Sequence, residues 1–394
     1  MQRLRYVVCA RLSTFVLFTL CVFTPCGLPS LAFSQVVASQ PVGPNNIFVK
    51  SRFGGQIFGF DLDQNGREGV LAEAQDLSNG NVLAAVETFD QKTGAILKVL
   101  IETQTQDDFL TLGVVGTSVG LVEREHVVSF LDVQRTFAVI SPLSANAFTG
   151  KWTPPIGKTH LLKEVSRNQG STNNAIFAQD NGGTFIPVVF ASNVAANTFG
   201  PVVRITDSSN FGSVVPPMAY NPSTNQAILG GGTGAFGRSP VIALVDLTAG
   251  TFSEFTGAGF GFVNGVAVDS ADNIACTTTE DDASVEFYDL TTQTVTAIVV
   301  LPNSGQLQFF SGADVEYDTQ HKMFFVAQPN SSSSTGSSIY VYDTKGNLRE
   351  TLNGFSFSNT FNVIAAHIAL HPSTRTGFID GPSANVNEIQ GFSY

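Results

Sequence analysis

Charge is scarce in this chain. Only 13% of its 394 residues are Asp, Glu, Lys or Arg, about half the fraction usual for a soluble domain. What charge there is runs acidic, with 20 Lys and Arg against 32 Asp and Glu and a formal net charge of −12. Without basic clusters the chain has no footprint for nucleic acid or for an anionic membrane surface. Cations and neutral glycans remain compatible partners.

Cysteine is equally sparse, and three of the four, Cys9, Cys21 and Cys26, fall in the first 26 residues. Those residues read as a secretory signal: Arg3, Arg5 and Arg11, an apolar run from Leu12 to Phe23, then Pro25, Gly27 and Pro29. Ala32 and Ser34 stand at the −3 and −1 positions of a cut before Gln35. The apolar run is too short for a membrane span of about 20 residues. The sequence therefore predicts a cleaved signal over 1–34 and an exported protein, periplasmic or extracellular, that has no membrane span after cleavage. Cleavage leaves Cys276 alone, which excludes an intramolecular disulfide and makes the hydrophobic core the source of stability. In the apolar stretch NIACTTT this cysteine reads as a buried small hydrophobe.

Helical periodicity is also lacking; the best stretch, 158–168, is short and has no sustained apolar face. Short β-branched and aromatic runs recur instead between Gly, Asn, Asp, Ser and Pro clusters. Four segments share an apolar strand ending in a turn, PPMAYNPSTNQAIL, NGVAVDSADNIAC, GADVEYDTQHKMFFVA and HIALHPSTRTGFI. Their turn residues Asn221, Asp269, Asp318 and His371 stand 48, 49 and 53 residues apart. The first three segments are each followed by an apolar strand closing on Asp and a polar turn, marked by Asp246, Asp289 and Asp343. Two strands, a turn and two further strands make a four-stranded blade, and a period near 50 residues suits a β-propeller.

The predicted fold is thus an all-β single propeller over 35–394, with seven blades favoured and six as the alternative. Similar pieces in the N-terminal half, IFGFDLDQNG, VETFDQKTG, SFLDVQRTF and VVRITDSSN, extend the pattern. The chain ends on IQGFSY, a third strand with no fourth after it. A strand around Asn46 to Ser51 is expected to supply the missing one and close the ring.

Over Gly265–Asp269, Asp272 with Asn273, and Val285–Asp289 the chain resembles the NHL and YVTN type of propeller repeat. A narrower likeness, carried by Asn264-Gly265, is to the senescence-marker and gluconolactonase group of lactonases. In that group the Asn binds a divalent metal in the central channel, so the resemblance implies a channel site, with the family's carboxylate ligands unassigned here.

Aligned on their turn residues, the repeats place Gly265, Asp314 and His367 at equivalent points, with Asn264 one step earlier. Asn264, Asp314 and His367 are therefore the candidate ligand or metal residues at the channel mouth. Asp61, Asp63 and Asn65, in D-x-D-x-N-G spacing, form a candidate calcium loop whose twelfth position is Ala72 instead of Glu. No cofactor is certain beyond these candidate sites for Ca2+ or another divalent ion.

Gly116-Thr-Ser118-Val-Gly120 matches a nucleophile elbow, and Gly232 to Gly237 matches a dinucleotide fingerprint. Both motifs require a helix to follow, and strand-like sequence follows each. The acidic runs Glu280-Asp281-Asp282 and Asp107-Asp108 read as solvated loop tips. The run 330–338 reads as a flexible insertion. The function expected is a non-catalytic module binding a protein, glycan or small ligand through the loops of one face. The alternative is a metal-dependent lactonase-type hydrolase with its site at the channel.

Overall fold

The repeat signatures become turns. Asp246 Oδ1 accepts the N–H groups of Thr248 and Ala249, and Asp289 Oδ1 those of Thr291 and Thr292. Asp343 does the same for Lys345 and Asn347, and Asp90, outside the clear repeats, for Lys92 and Thr93. A short carboxylate can reach backbone donors two to four residues on, so each Asp writes its own reversal into the chain.

The second set of turn residues works alike. Asn221 caps Ser223, Asp269 caps Ala271 and Asp272, and Asp318 caps Gln320 and His321. In each of these turns the residue before the next strand is left-handed: Asn225, Asn273, Lys322 and Arg375 take φ between 52° and 57°.

The computed structural model describes residues 42–394 apart from 64–65, 106, 116–117, 126–134, 153–160, 163–173, 181–186, 194–197, 206–216, 234–238, 280–282, 302–313, 329–336, 356–366 and 381–386. The expected signal, 1–34, lies outside the described residues, as do Asn65 and the acidic run 280–282. Residues Gln40–Tyr394 form one compact unit.

Among the described residues, 28 strands pair into seven four-stranded antiparallel sheets. The first, β1 (Gly43–Lys50), joins the last sheet. Blade 1 is β2 (Gln56–Leu62), β3 (Glu68–Asp76), β4 (Val82–Asp90) and β5 (Ile96–Thr105). Blade 2 is β6 (Asp107–Val115), β7 (Ser118–Glu125), β8 (Arg135–Ile140) and β9 (Gly150–Trp152). Blade 3 is β10 (Leu161–Leu162), β11 (Asn174–Asp180), β12 (Pro187–Asn193) and β13 (Thr198–Arg204). Blade 4 is β14 (Met218–Asn221), β15 (Gln226–Gly232), β16 (Pro240–Asp246) and β17 (Thr251–Thr256). Blade 5 is β18 (Val263–Asp269), β19 (Ile274–Thr279), β20 (Ser284–Asp289) and β21 (Thr294–Val300). Blade 6 is β22 (Val315–Asp318), β23 (Met323–Gln328), β24 (Ser337–Asp343) and β25 (Leu348–Phe355). Blade 7 has β26 (Ile368–His371), β27 (Thr376–Asp380) and β28 (Glu388–Ser393), with β1 as its fourth strand.

Pairing of β1 with β28 runs from Gly43↔Ser393 to Lys50↔Glu388. The strand expected around Asn46 to Ser51 thus closes the ring, and blade 7 is built from both ends of the propeller. The first strand of each blade is innermost: β2 packs against both β6 and β26, and β18 against β14 and β22.

The core lies between blades. One cluster joins blades 7 and 1 through Val49, Phe60, Phe89, Phe378 and Ile389. Another joins blades 5 and 6 through Phe287, Tyr317, Phe324 and Tyr342. Cys276 is fully buried there, and burial pushes its thiol well above the usual range, as expected of a core residue and not of a nucleophile. Asp107 and Asp108 correct one expectation: they are not a loop tip but open β6, opposite Glu125 and Arg124.

Candidate functional site at the inner-strand mouth

An up-and-down blade sends its first-to-second and third-to-fourth turns to one face of the ring. Its second-to-third connections, and the crossings to the next blade, go to the other. In blades 4 to 7 the first kind are tight: 222–225, 270–273, 319–322 and 372–375 between first and second strands, and 247–250, 290–293 and 344–347 between third and fourth. The crossings 205–217, 301–314 and 356–367 and the connections 329–336 and 381–387 are longer. We call these the turn face and the loop face.

The turn face is tied from blade to blade. Asn221 Nδ2 donates to Asn273 Oδ1 (2.8 Å), and Lys322 Nζ donates to Asp272 Oδ2 (2.9 Å). His371 places Nε2 3.2 Å from the Gly66 carbonyl oxygen, while its Nδ1 lies 3.1 and 3.0 Å from the Ser373 and Thr374 hydroxyl oxygens. Asn221, Asp269, Asp318 and His371 are all buried. Asn221 and His371 register neighbouring blades, while Asp269 and Asp318 cap their own turns.

On the loop face the inner strands begin, and two of the three channel candidates meet there. Asp314 Oδ2 lies 3.8 Å from His367 Nδ1, the carboxylate 14% and the imidazole 16% exposed. The pair is held from both blades. Asp314 Oδ1 accepts its neighbour Val315 N–H, and Asp314 Oδ2 accepts Ile368 N–H from blade 7. His367 donates its own N–H to Asp380 Oδ2 and meets the edge of Phe60 at 5.6 Å.

Asn264 occupies a β-bulge between Val263 and Gly265, and its Nδ2 is buried without a hydrogen-bond partner. It sits on blade 5, beside the blade that carries Asp314. Asp314 and His367 form an acid–imidazole pair able to hold a proton or accept a polar group. Among the described residues no group of three or more His, Cys, Asp or Glu is placed to hold a metal ion.

The calcium-loop residues behave differently from one another. Asp61 is buried in β2, where Oδ1 accepts Leu62 N–H and Oδ2 accepts Val114 N–H from β6. Its carboxylate thus fastens blade 1 to blade 2. Asp63 begins the following turn, its carbonyl accepting from Gly66 N–H and the Gln91 amide. Ser118 opens β7, buried and hydrogen-bonded to Ser141 Oγ at 2.7 Å, so no nucleophile elbow forms. After Gly232 the described chain resumes in strand β16, as the rejection of a dinucleotide site requires.

Buried glutamates escaped the sequence reading. Glu286 in β20 is fully buried and accepts Ala258 and Gly259 N–H from the crossing out of blade 4, together with the Tyr288 hydroxyl. Glu87 takes the same place in β4, three residues before the turn Asp, and accepts Arg52 N–H from the crossing out of blade 7. Beside it Glu73 accepts the N–H groups of Phe53 and Gly55. Burial, with the nearby Glu73 charge, pushes the Glu87 carboxyl up to about 7 against the opposing hydrogen bond from Arg52. The signal was present in VETFD and VEFYD, each a lone Glu inside an apolar strand.

This architecture defines a β-propeller with four-stranded blades. Among solved structures it is similar to the RRP9 WD40 repeats, with a TM-score of 0.62 and 10% identity over 90% of this chain and 99% of that one. It is also similar to U3-55K, with a TM-score of 0.60 and 12% identity over 89% of this chain and 100% of that one. The Raptor of Chaetomium thermophilum matches 89% of this chain with 29% of its own, at a TM-score of 0.58 and 12% identity. No known family profile matches the chain, and no curated protein matches its sequence. The NHL and YVTN likeness stays a resemblance within one blade.

The expectation of an exported, periplasmic or extracellular protein is corrected by these neighbours. These neighbours, which also include the Swd1 propeller, are themselves intracellular proteins. At 10 to 12% identity the likeness itself establishes the fold. Among the described residues no helix is long and apolar enough to cross a membrane.

Proposed function

We propose that this chain is a non-catalytic propeller that binds a protein partner across its loop face. The supporting observation is the asymmetry of the two faces in blades 4 to 7. One is closed by tight, side-chain-capped turns tied blade to blade. The described strand ends that bound the longer connections open on the other, and Phe260 is 46% exposed in the crossing from blade 4 to blade 5. Connections carried on a rigid scaffold are where recognition residues concentrate, and an aromatic side chain on such a face is the commonest kind of anchor.

Quantitative affinity capture, followed by titration calorimetry with the captured partner, tests this. Phe53→Ala, Phe260→Ala and His367→Ala on the loop face should together weaken binding by tenfold or more. Lys345→Ala and Thr292→Ala on the turn face should not. The reverse pattern would move the interface to the other face.

The Asp314–His367 pair favours one competing reading, a hydrolase at the inner-strand mouth. Lactone turnover that needs added divalent metal and disappears with His367→Ala would establish that reading and displace the binding module.

A further inference from the structure

Every blade leaves its fourth strand with one unpaired edge, a row of N–H and C=O groups able to template another strand. Six of the seven outer strands carry a charged residue: Lys50 in β1, Lys98 and Glu102 in β5, Lys151 in β9, Arg204 in β13, Glu254 in β17, and Arg349 with Glu350 in β25. Two of these also hold proline, Pro44 in β1 and Pro201 in β13. Such residues are the usual guards of an open edge. β21 has none: Thr-Val-Thr-Ala-Ile-Val-Val contains no charge, no proline and no glycine.

A β-bulge at Thr296 divides the strand, since Tyr288 pairs with Val295 and Phe287 with Ala297. Val295, Ala297 and Val299 pack against neighbouring blades, while Thr294, Thr296, Ile298 and Val300 face out. Ile298 is 46% and Val300 58% exposed, two of the few large apolar side chains left in water among the described residues. β21 is the last strand of its sheet, with β20 on its only paired side.

We infer that the outer edge of β21 is a strand-addition site that takes an extended, uncharged, β-branched segment of a protein partner. The backbone edge dictates an extended occupant, and main-chain hydrogen bonds with pockets for alternate side chains supply binding of that kind. A second copy of the chain fits less well. Two molecules each carrying −12 would meet over a strip about 23 Å by about 10 Å, on the order of a few hundred Å² in all and well short of the roughly 1,200 Å² that a stable interface buries. A partner segment needs no such area, and flanking basic residues complement the acidic chain.

The site lies apart from the loop face and does not depend on it. The probe is a synthetic peptide bearing the β21 sequence between lysine pairs, labelled for fluorescence anisotropy and read in parallel by hydrogen exchange. Binding should slow exchange of the 294–300 amides. Ile298→Lys with Val300→Lys restores the guarding that other edges have and should weaken binding tenfold or more, with the melting temperature unchanged because both positions are exposed. Leu97→Lys on β5, and Phe260→Ala on the loop face, should leave peptide binding as it was, which separates this site from the one proposed above. No binding, or binding that survives the double substitution, overturns the inference. If the protein alone sediments as a dimer and the double variant as a monomer, the occupant is a second copy and the partner segment is refuted.

Discussion

A buried carboxylate is tolerable when both of its oxygens have donors, and Glu286 shows how the chain arranges this. It gathers two backbone N–H groups from an interblade crossing and one tyrosine hydroxyl. Burial and the adjacent Glu286 charge in turn push the Tyr288 phenol far above its ordinary range, so it remains a donor. Removing the carboxylate strands three donors, each costing roughly 1 to 3 kcal/mol when left unpaired. Glu286→Ala should therefore destabilise the protein by about 3 kcal/mol or more in urea unfolding, while Glu286→Gln, which keeps an acceptor, should lose less.

Strands here depend on glycine where an aromatic ring needs room across the ladder. Gly69 lies opposite Phe89 between β3 and β4, and Gly377 opposite Phe392 between β27 and β28. A Cβ on Gly377 would come within 2.5 Å of the Phe392 ring and 2.8 Å of the Ala369 carbonyl oxygen. The ring could turn, but the backbone oxygen belongs to the paired strand β26 and cannot. Gly377→Ala should cost about 1 to 3 kcal/mol, seen as a lower denaturation midpoint with an unchanged slope. Because Phe392 also packs on Phe355 of blade 6 at 5.7 Å, the strain should reach the 6–7 interface.

The whole ring is joined at one seam, where β1 ends and the chain crosses through Ser51–Gly55 into blade 1. Glu73 and Glu87 hold that crossing by its N–H groups. The folded Glu87 carboxyl sits at about 7 against its ordinary 4.5, so folding favours the protonated form. That contribution is complete below about pH 4.5 and is lost as pH rises through about 7. Its size is on the order of 2 to 3 kcal/mol. Thermal melts across this window should show stability falling toward pH 7 and above, and Glu87→Gln should flatten the fall. An unchanged pH profile in that variant would mean the pair is not what senses pH.

Local chemistry was legible in the residues themselves. Asp246, Asp289 and Asp343 mark turns because their carboxylates need only the next few N–H groups, and that relation is written within five residues of sequence. The period near 50 follows, and with it the four-stranded blades and the need for a strand near Asn46 to finish the last one. The candidate site was half legible. Equivalent repeat positions named Asp314 and His367, which do meet, but not the Ile368 N–H that holds Asp314 from 54 residues away. The same limit hid Asp61, whose partner is Val114, and Glu286, whose partners lie in the preceding crossing. A charged side chain alone does not say whether it faces water or a donor on the next blade. Only ring closure, which stacks blade on blade, decides that, and the same closure decides that the uncharged β21 is left with an open edge.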